Sequence, residues 1–271
     1  MIVLTIDLES WDKAWSRKCS IDLTLQHLDV LNEVIHVLEK SDKKVTFFTT
    51  LEFAERFPDE VRDMAKKHEI ASHSATHRIF RKHIQRDEFA KEVSESKKGL
   101  ERLVGRIYGF RAPAFMIPPE LPQILKNAGY LYDSSVMPST HIPGWYGYKA
   151  PREPYLADYN NIFKKSKNGF PEFPLAVTPL VNIPVGGFFL RLMGSNLSRK
   201  FLTLCSQKHK VAVTYLHLYD LMDLPRVKGI PRRVYIRSGR KNLRIFRELV
   251  EVADNVTLSQ LMGVCDGNSE V

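Results

Sequence analysis

A chain of 271 residues with 44% hydrophobic content can bury a sizeable core, and none of its apolar runs approaches the roughly 18 residues of a membrane-spanning helix. Cys19, Cys205 and Cys265 are odd in number and widely scattered, with no Cys-x-x-Cys pair, so neither a disulfide framework nor a thiolate metal site is suggested. The net charge of +9 suits an anionic partner, but with no zinc finger, RNP-like strand or alternation of aromatic and basic residues, specific nucleic-acid binding is not expected.

In chain order, residues 2–6 form a short apolar run that ends in acids, the pattern of a buried strand whose C-terminal end reaches a site. Leu23, Leu28, Leu31, Val34, Ile35 and Leu38 then recur at helical spacing, and 45–50 reads as another buried strand. Helix is expected at 51–67, strand at 69–74, helix at 86–103 with Asp87 placed to cap it, strand at 107–110, helix at 119–127 and strand at 131–136. From 137 to about 190 the rhythm breaks into a long irregular insertion dense in Pro, Gly and aromatics. Helix at 197–207, a strongly apolar strand at 211–219, helix at 238–253 and a short strand at 256 restore it. Alternation this regular predicts parallel strands with helices outside, in one domain spanning 1–271.

The first ten residues, MIVLTIDLES, show neither a basic leader nor a small-residue cleavage site, so a cytoplasmic location is expected. Residues 224–247 hold nine Lys or Arg and no acid. Such a run is ordinarily a solvated face; the sharper reading is attraction to a substrate phosphate or an anionic membrane.

Two histidines follow the third strand in His73-Ser-Ala-Thr-His77, and at i and i+4 they share one face if the chain turns helical there. Asp7 and Glu9, two apart at the end of the first strand, project to one side of an extended chain. Two His and one carboxylate make a metal site with open positions, leaving the second carboxylate free as a base. Arg111, beside Pro113, could orient that base through a bidentate pair, and His217 near the end of the last strong strand could protonate a leaving amine.

Strand-end acids, H-S-x-x-H, R-A-P and a late L-H, in that order, resemble the polysaccharide deacetylase family, the NodB-homology or carbohydrate esterase family 4 group. The phrases IASHSATH, GFRAPAF, GYLYDSSVMP, PGWYGY and PVGGFFLRL are similar to a subgroup of cytoplasmic bacterial and archaeal deacetylases, so the resemblance covers about residues 2–220. It implies an α/β fold, an irregular (β/α) barrel of about seven parallel strands with its site at their C-terminal ends. It implies Asp7 as general base, His73, His77 and Glu9 as ligands of a divalent metal, Zn2+ first, Arg111 as the residue that steadies the base, and His217 as general acid. Asp133 is an approximate match to the acid that polarises the catalytic His. The family's usual adjacent aspartates are replaced here by Asp7-Leu8-Glu9, whose last carboxylate is one methylene longer.

The activity implied is removal of an acyl group, acetyl first, from an amino sugar in a polysaccharide, an oligosaccharide or a phosphate-bearing or lipid-linked precursor. A backbone N–H after Pro113, at Ala114, would support the oxyanion, Trp145, Tyr146 and Phe188 would stack on sugar faces, and Gly187 would let backbone approach the substrate. Two other readings stay open: hydrolysis of a small amide or cyclic imide on the same metal, and an inactive carbohydrate-binding protein. The presence of Asp7, His73, His77 and His217 together weighs against the last. Barrels often associate, but no interface is read from the sequence.

Overall fold

The computed structural model describes residues 1–14, 21–80, 86–141 and 147–266. Among these, nine strands make one sheet: β1 (Ile2–Leu8), β2 (Thr46–Thr49), β3 (Glu69–Ser72), β4 (Gly109–Phe110), β5 (Tyr132–Asp133), β6 (Tyr155–Asp158), β7 (Asn161–Lys165), β8 (Phe170–Glu172) and β9 (Ala212–His217). Their order is β7-β6-β8-β5-β4-β3-β2-β1-β9. All neighbours pair in parallel except β6, which is antiparallel to β7 and β8. Beyond β8 the chain crosses to β9, where Leu175 pairs in parallel with Val213 and the Ala176 N–H donates to the Val213 carbonyl at 2.8 Å. That contact closes β9, β1, β2, β3, β4, β5 and the extension of β8 into a barrel of seven parallel members.

All seven residues of β1 are buried, as a strand covered on both sides requires. Ile2, Leu4, Ile6 and Leu8 join the apolar layer beneath the helices, with Val30, Leu31, Val34 and Leu38 of the helix Thr24–Lys40. The alternate residue Val3 joins Phe48, Ala71, Tyr132, Phe173, Leu175, Val213 and Tyr215 in a second cluster inside the barrel. Each buried Ile or Leu is worth about 1.5–3 kcal/mol, which lets the same strand carry Thr5 and Asp7 on its inner side. The N-terminal end of the barrel is stopped by Leu258 and Leu261. Their segment is tied to the strand starts: the Leu258 N–H donates to Thr46 Oγ1 and the Ser259 N–H to Glu69 Oε2.

Several elements differ from the sequence reading. The helix expected at 51–67 is two, Leu51–Arg56 and Pro58–Ala65, because Pro58 cannot donate to a preceding turn and instead opens the second helix. The insertion expected to be irregular contains β6, β7 and β8, strands of three to five residues too short to show a period. Asp158 turns that hairpin by accepting the N–H groups of Asn160 and Asn161. The helix expected at 197–207 starts at Gly187 and is interrupted at Gly194, whose φ of 74° lies outside helical space. No strand forms at Val256.

Asp133 and Glu172 face each other as register partners across β5 and β8. Ser135 Oγ donates to Asp133 and the Val136 N–H to Glu172, and both side chains are fully buried. Burial opposes charge on both carboxyls, pushing Asp133 up to about 6 and Glu172 further from the ordinary range as its neighbour repels a second charge. Since both folded-state values are raised, the stability this pair contributes is complete at acid pH and is lost as pH rises through about 6. Glu172→Gln keeps the side chain's shape and removes the titration of Glu172, leaving that of Asp133. Urea unfolding at about pH 5 and about pH 8 should show the wild type losing about 1 kcal/mol more than the variant; equal losses would show that burial beside Asp133 does not raise Glu172.

Candidate functional site

The C-terminal ends of the strands gather the side chains singled out in the sequence. β1 and β9 are in register with Asp7 opposite His217, so the candidate base and acid sit on adjacent strands. Arg111, directly after β4, reaches across the barrel interior and donates from Nη1 to Asp7 Oδ1 at 2.7 Å and to Thr5 Oγ1 at 2.8 Å. Its Nε and Nη2 donate to the carbonyl and hydroxyl of Ser134, and its plane lies 3.9 Å from the Phe48 ring centroid. The grip on Asp7 is thus single-pronged rather than bidentate, because the other donors are spent on Ser134. Arg111 and Asp7 are both essentially inaccessible to water.

The same residue orients a histidine. His73 Nδ1 donates to the Arg111 backbone carbonyl at 2.8 Å, which leaves Nε2 as the free acceptor. Burial, then the neighbouring His77, holds His73 well below its ordinary pKa, so it stands as a neutral imidazole. His77 approaches from a tight loop, not from the helical turn expected of i and i+4 spacing. Ser74 and His77 both have positive φ, 67° and 55°, and fold the loop back sharply. The carbonyls of Ser74 and Ala75 accept the first N–H groups of the helix Leu51–Arg56, and that docking replaces a helix of the loop's own.

Glu9 Oε2 lies against His77 Nε2, and Glu9 Oε1 lies 3.9 Å from His217 Nε2. Burial pushes the Glu9 carboxyl up, but His77, His217 and His73 outweigh it and bring the group below its usual range. One donor atom from each of Glu9, His73 and His77 falls within 4.8 Å of the others. Glu9 Oε2 is buried without a hydrogen-bond donor. Two imidazole acceptors and an undonated carboxylate oxygen fit a divalent cation, whose charge would satisfy all three.

His217 is oriented by a residue the sequence reading did not name. Its Nδ1 donates to Asp220 Oδ2 at 3.0 Å, and the His217 backbone N–H donates to the same oxygen at 3.0 Å. The ring stacks on Tyr219 at 4.5 Å between centroids. Burial alone would lower the His217 pKa; Asp220, then Glu9 and Asp7, raise it. Asp133 does not take this orienting part, being held in the barrel wall by Ser135 and Glu172. The spacing H-L-Y-D, an acid three residues past a strand-end His, was the available signal.

Of the expected substrate-binding residues, Pro113 and Ala114 lie in a 3-10 turn, Pro113–Phe115, with Ala114 and Phe115 at positive φ. Gly187 packs on Tyr215: a Cβ there would come 2.8 Å from Tyr215 Oη, and one on Gly186 2.4 Å from Tyr215 Cδ1. The glycine pair is therefore required by an inner-barrel ring. Phe188 lies over the Arg191 guanidinium. Trp145 and Tyr146 lie outside the described residues.

Known proteins resemble this chain in sequence and in fold. A profile of the Polysaccharide deacetylase family matches residues 11–132, and a domain of unknown function, DUF3473, matches 134–265. The chain carries a polysaccharide deacetylase domain over residues 11–132. It is 32% identical over 101 residues to a peptidoglycan-N-acetylglucosamine deacetylase of Bacillus cereus and 30% identical over 96 residues to another from the same strain, covering 37% and 35% of this chain. The matched segments span about a third of those relatives' length, 34% and 35%. A Mycobacterium smegmatis structure assigned as a polysaccharide deacetylase superposes with TM-score 0.62 at 19% identity, covering 98% of this chain and 90% of that one. A CE4 family pseudoenzyme of Bacillus anthracis superposes with TM-score 0.53 at 12% identity, covering 97% and 65%. These two establish the fold. Asp7 and Glu9 precede the first matched segment, while His217 and Asp220 lie in the second, so the site is assembled from the whole chain.

Arg111→Met would leave the Asp7 carboxylate buried without its cation, and about 3–5 kcal/mol of stability should be lost in urea unfolding. Adding Asp7→Asn to that variant should restore part of the loss, and an unchanged deficit would show that packing, not charge, is what Arg111 supplies.

Proposed function

We propose that this protein is a metal-dependent N-deacetylase of an amino sugar. The observation that carries the reading is the placing of a cation-anchored carboxylate, Asp7, beside a metal-ligand set, Glu9, His73 and His77, with an aspartate-held imidazole, His217, on the neighbouring strand. The metal, Zn2+ in our assignment, would be held by Glu9, His73 and His77 and would supply Lewis acidity toward the acyl oxygen and the attacking water.

The chain's own groups do the rest. Arg111 fixes Asp7 through Oδ1, so the carboxylate is aligned to take the proton of the attacking water. His217, its Nδ1–H fixed on Asp220, presents Nε2 toward the cluster and gives its proton there to the departing amine. We assign the backbone N–H of Ala114, in the turn after Arg111, to the developing oxyanion. Asp133 has no part in proton transfer in this scheme.

Substrate identity is inferred from charge. The segment 224–247 with nine basic residues and no acid supports a phosphate-bearing or lipid-linked amino sugar. Several of these residues are already engaged, Arg240 with Asp29 and Glu33 and Arg244 with Glu248. No helix among the described residues is long and apolar enough to cross a membrane.

Acetate release should be measured on N-acetylated sugars, nucleotide-linked sugars and chitooligosaccharides. Asp7→Asn and His77→Ala should each lower it by at least about 100-fold, with only His77→Ala losing stoichiometric Zn2+ by elemental analysis. Undiminished release by both variants would overturn the assignment. Replacing Lys228, Arg232, Arg233 and Lys241 by Gln should raise KM for phosphate-bearing substrates alone and flatten its salt dependence; an unchanged KM would remove the phosphate-bearing class.

A further inference from the structure

Arg191 is the fourth residue of the long helix Gly187–His209 counted from Phe188, and its side chain is turned inward, 4% exposed. Its Nε lies 2.9 Å from Asp220 Oδ1 as an ion pair, also inaccessible to water. The opposite oxygen of the same carboxylate, Oδ2, is the one that accepts His217 Nδ1–H. The two oxygens of Asp220 are thus divided between a permanent cation and the imidazole. The rest of the guanidinium is committed as well. Nη1 donates to the carbonyls of Val234 and Ile236 and Nη2 to that of Arg233, while the Phe188 ring covers its face at 5.6 Å. A neighbouring arginine, Arg237, ties the same segment to the helix by donating to the Leu192 carbonyl at 2.8 Å.

We propose that Arg191 is a positioning residue for proton donation: it locks Asp220, and through it the His217 ring, so that Nε2 faces the leaving amine. This rests on the deacetylase reading above. The physical argument is one of compensation and rotation. A carboxylate buried beside an imidazole alone can swing about its Cα–Cβ and Cβ–Cγ bonds, and the imidazole turns with it. Pinning the far oxygen to a planar guanidinium that is itself held by three carbonyls removes that freedom. Tyr219 beneath the His217 ring and the edge of Tyr215 beside it restrict what rotation is left. Arg191 also makes the short helix Arg232–Tyr235 the back wall of the acid, since its guanidinium spans from that helix to Asp220. The second matched segment, 134–265, supplies Arg191, Asp220 and His217 together, so its contribution to the site is the acid arm.

The discriminating experiment compares two substrates that differ in their need for a proton. An N-acetyl sugar expels a poor amine leaving group, whereas 4-nitrophenyl acetate expels a phenolate that leaves unprotonated. In Zn2+-loaded enzyme, Arg191→Ala should lower kcat on the N-acetyl sugar by about 10–100-fold with KM nearly constant, while hydrolysis of the aryl ester changes by less than about 3-fold. Arg191→Lys, which keeps the charge and loses the planar fork, should fall between. An equal loss on both substrates, or no loss on either, overturns the proposal. A second readout does not depend on turnover. In 15N-histidine-labelled protein, His217 should show one Nδ1–H tautomer in the wild type and in Asp7→Asn, and a mixed or averaged ring signal in Arg191→Ala. If the wild type releases no acetate from any sugar, the deacetylase reading fails; the tautomer comparison still decides whether Arg191 fixes the ring, and a single unchanged tautomer in Arg191→Ala refutes it.

Discussion

A charge pair with no access to water holds the barrel interior in order. Arg111 and Asp7 face each other at 2.7 Å deep inside a closed sheet, where either charge alone would be costly. Desolvation is offset by filling the remaining donors of Arg111 with Thr5, Ser134 Oγ and the Ser134 carbonyl, and by laying its plane on Phe48. The Arg111 backbone then continues the task by accepting His73 Nδ1–H. One residue therefore fixes both a carboxylate assigned to base chemistry and a histidine assigned to metal binding. A displacement of the strand end at Phe110 would move both together.

The interior holds a second pair of acids that behaves oppositely. Asp133 and Glu172 are as buried as Asp7, but no guanidinium grips them, and burial turns them toward the protonated form. Side chains of one chemical type thus sit in different surroundings, one paired with a guanidinium and two in a wall that favours their neutral form. The difference explains how Asp133, which resembles a family acid in sequence context, lies in the wall rather than beside His217. Its strand pairs it with β8, while the place beside the imidazole is filled from three residues further along β9's own chain.

Backbone strain concentrates at the same end. Ser74, His77, Ala114 and Phe115 all take positive φ without being glycine, a conformation costing each about 1–2 kcal/mol. The loop of Ser74 and His77 is held by N–H groups of the helix Leu51–Arg56, and the turn of Ala114 by the Phe115 and Met116 N–H groups donating back to Ala112 and Pro113. Tyr148 donates its hydroxyl hydrogen to the Phe115 carbonyl at 3.0 Å. Strain of this kind persists where a scaffold over-determines the loop, and the scaffold here is the ring of strand ends.

Periodicity and residue type alone determined much of this protein. The apolar run of β1 with its two terminal acids, the alternation of strand and helix through 136, and the gathering of Asp7, Glu9, His73, His77, Arg111 and His217 at the strand ends were legible because buried parallel strands and polar residues at their ends leave local marks. The sequence could not show that 73–77 folds as a strained loop, that β6, β7 and β8 occupy the insertion, or that Leu175 closes the barrel on Val213. Nor could it show that Arg191 reaches Asp220 from a helix 29 positions earlier, or that Glu172 claims Asp133. Those outcomes depend on contacts between residues far apart in the chain, and a pairing decided by the closing of a sheet leaves no trace in the spacing of either partner.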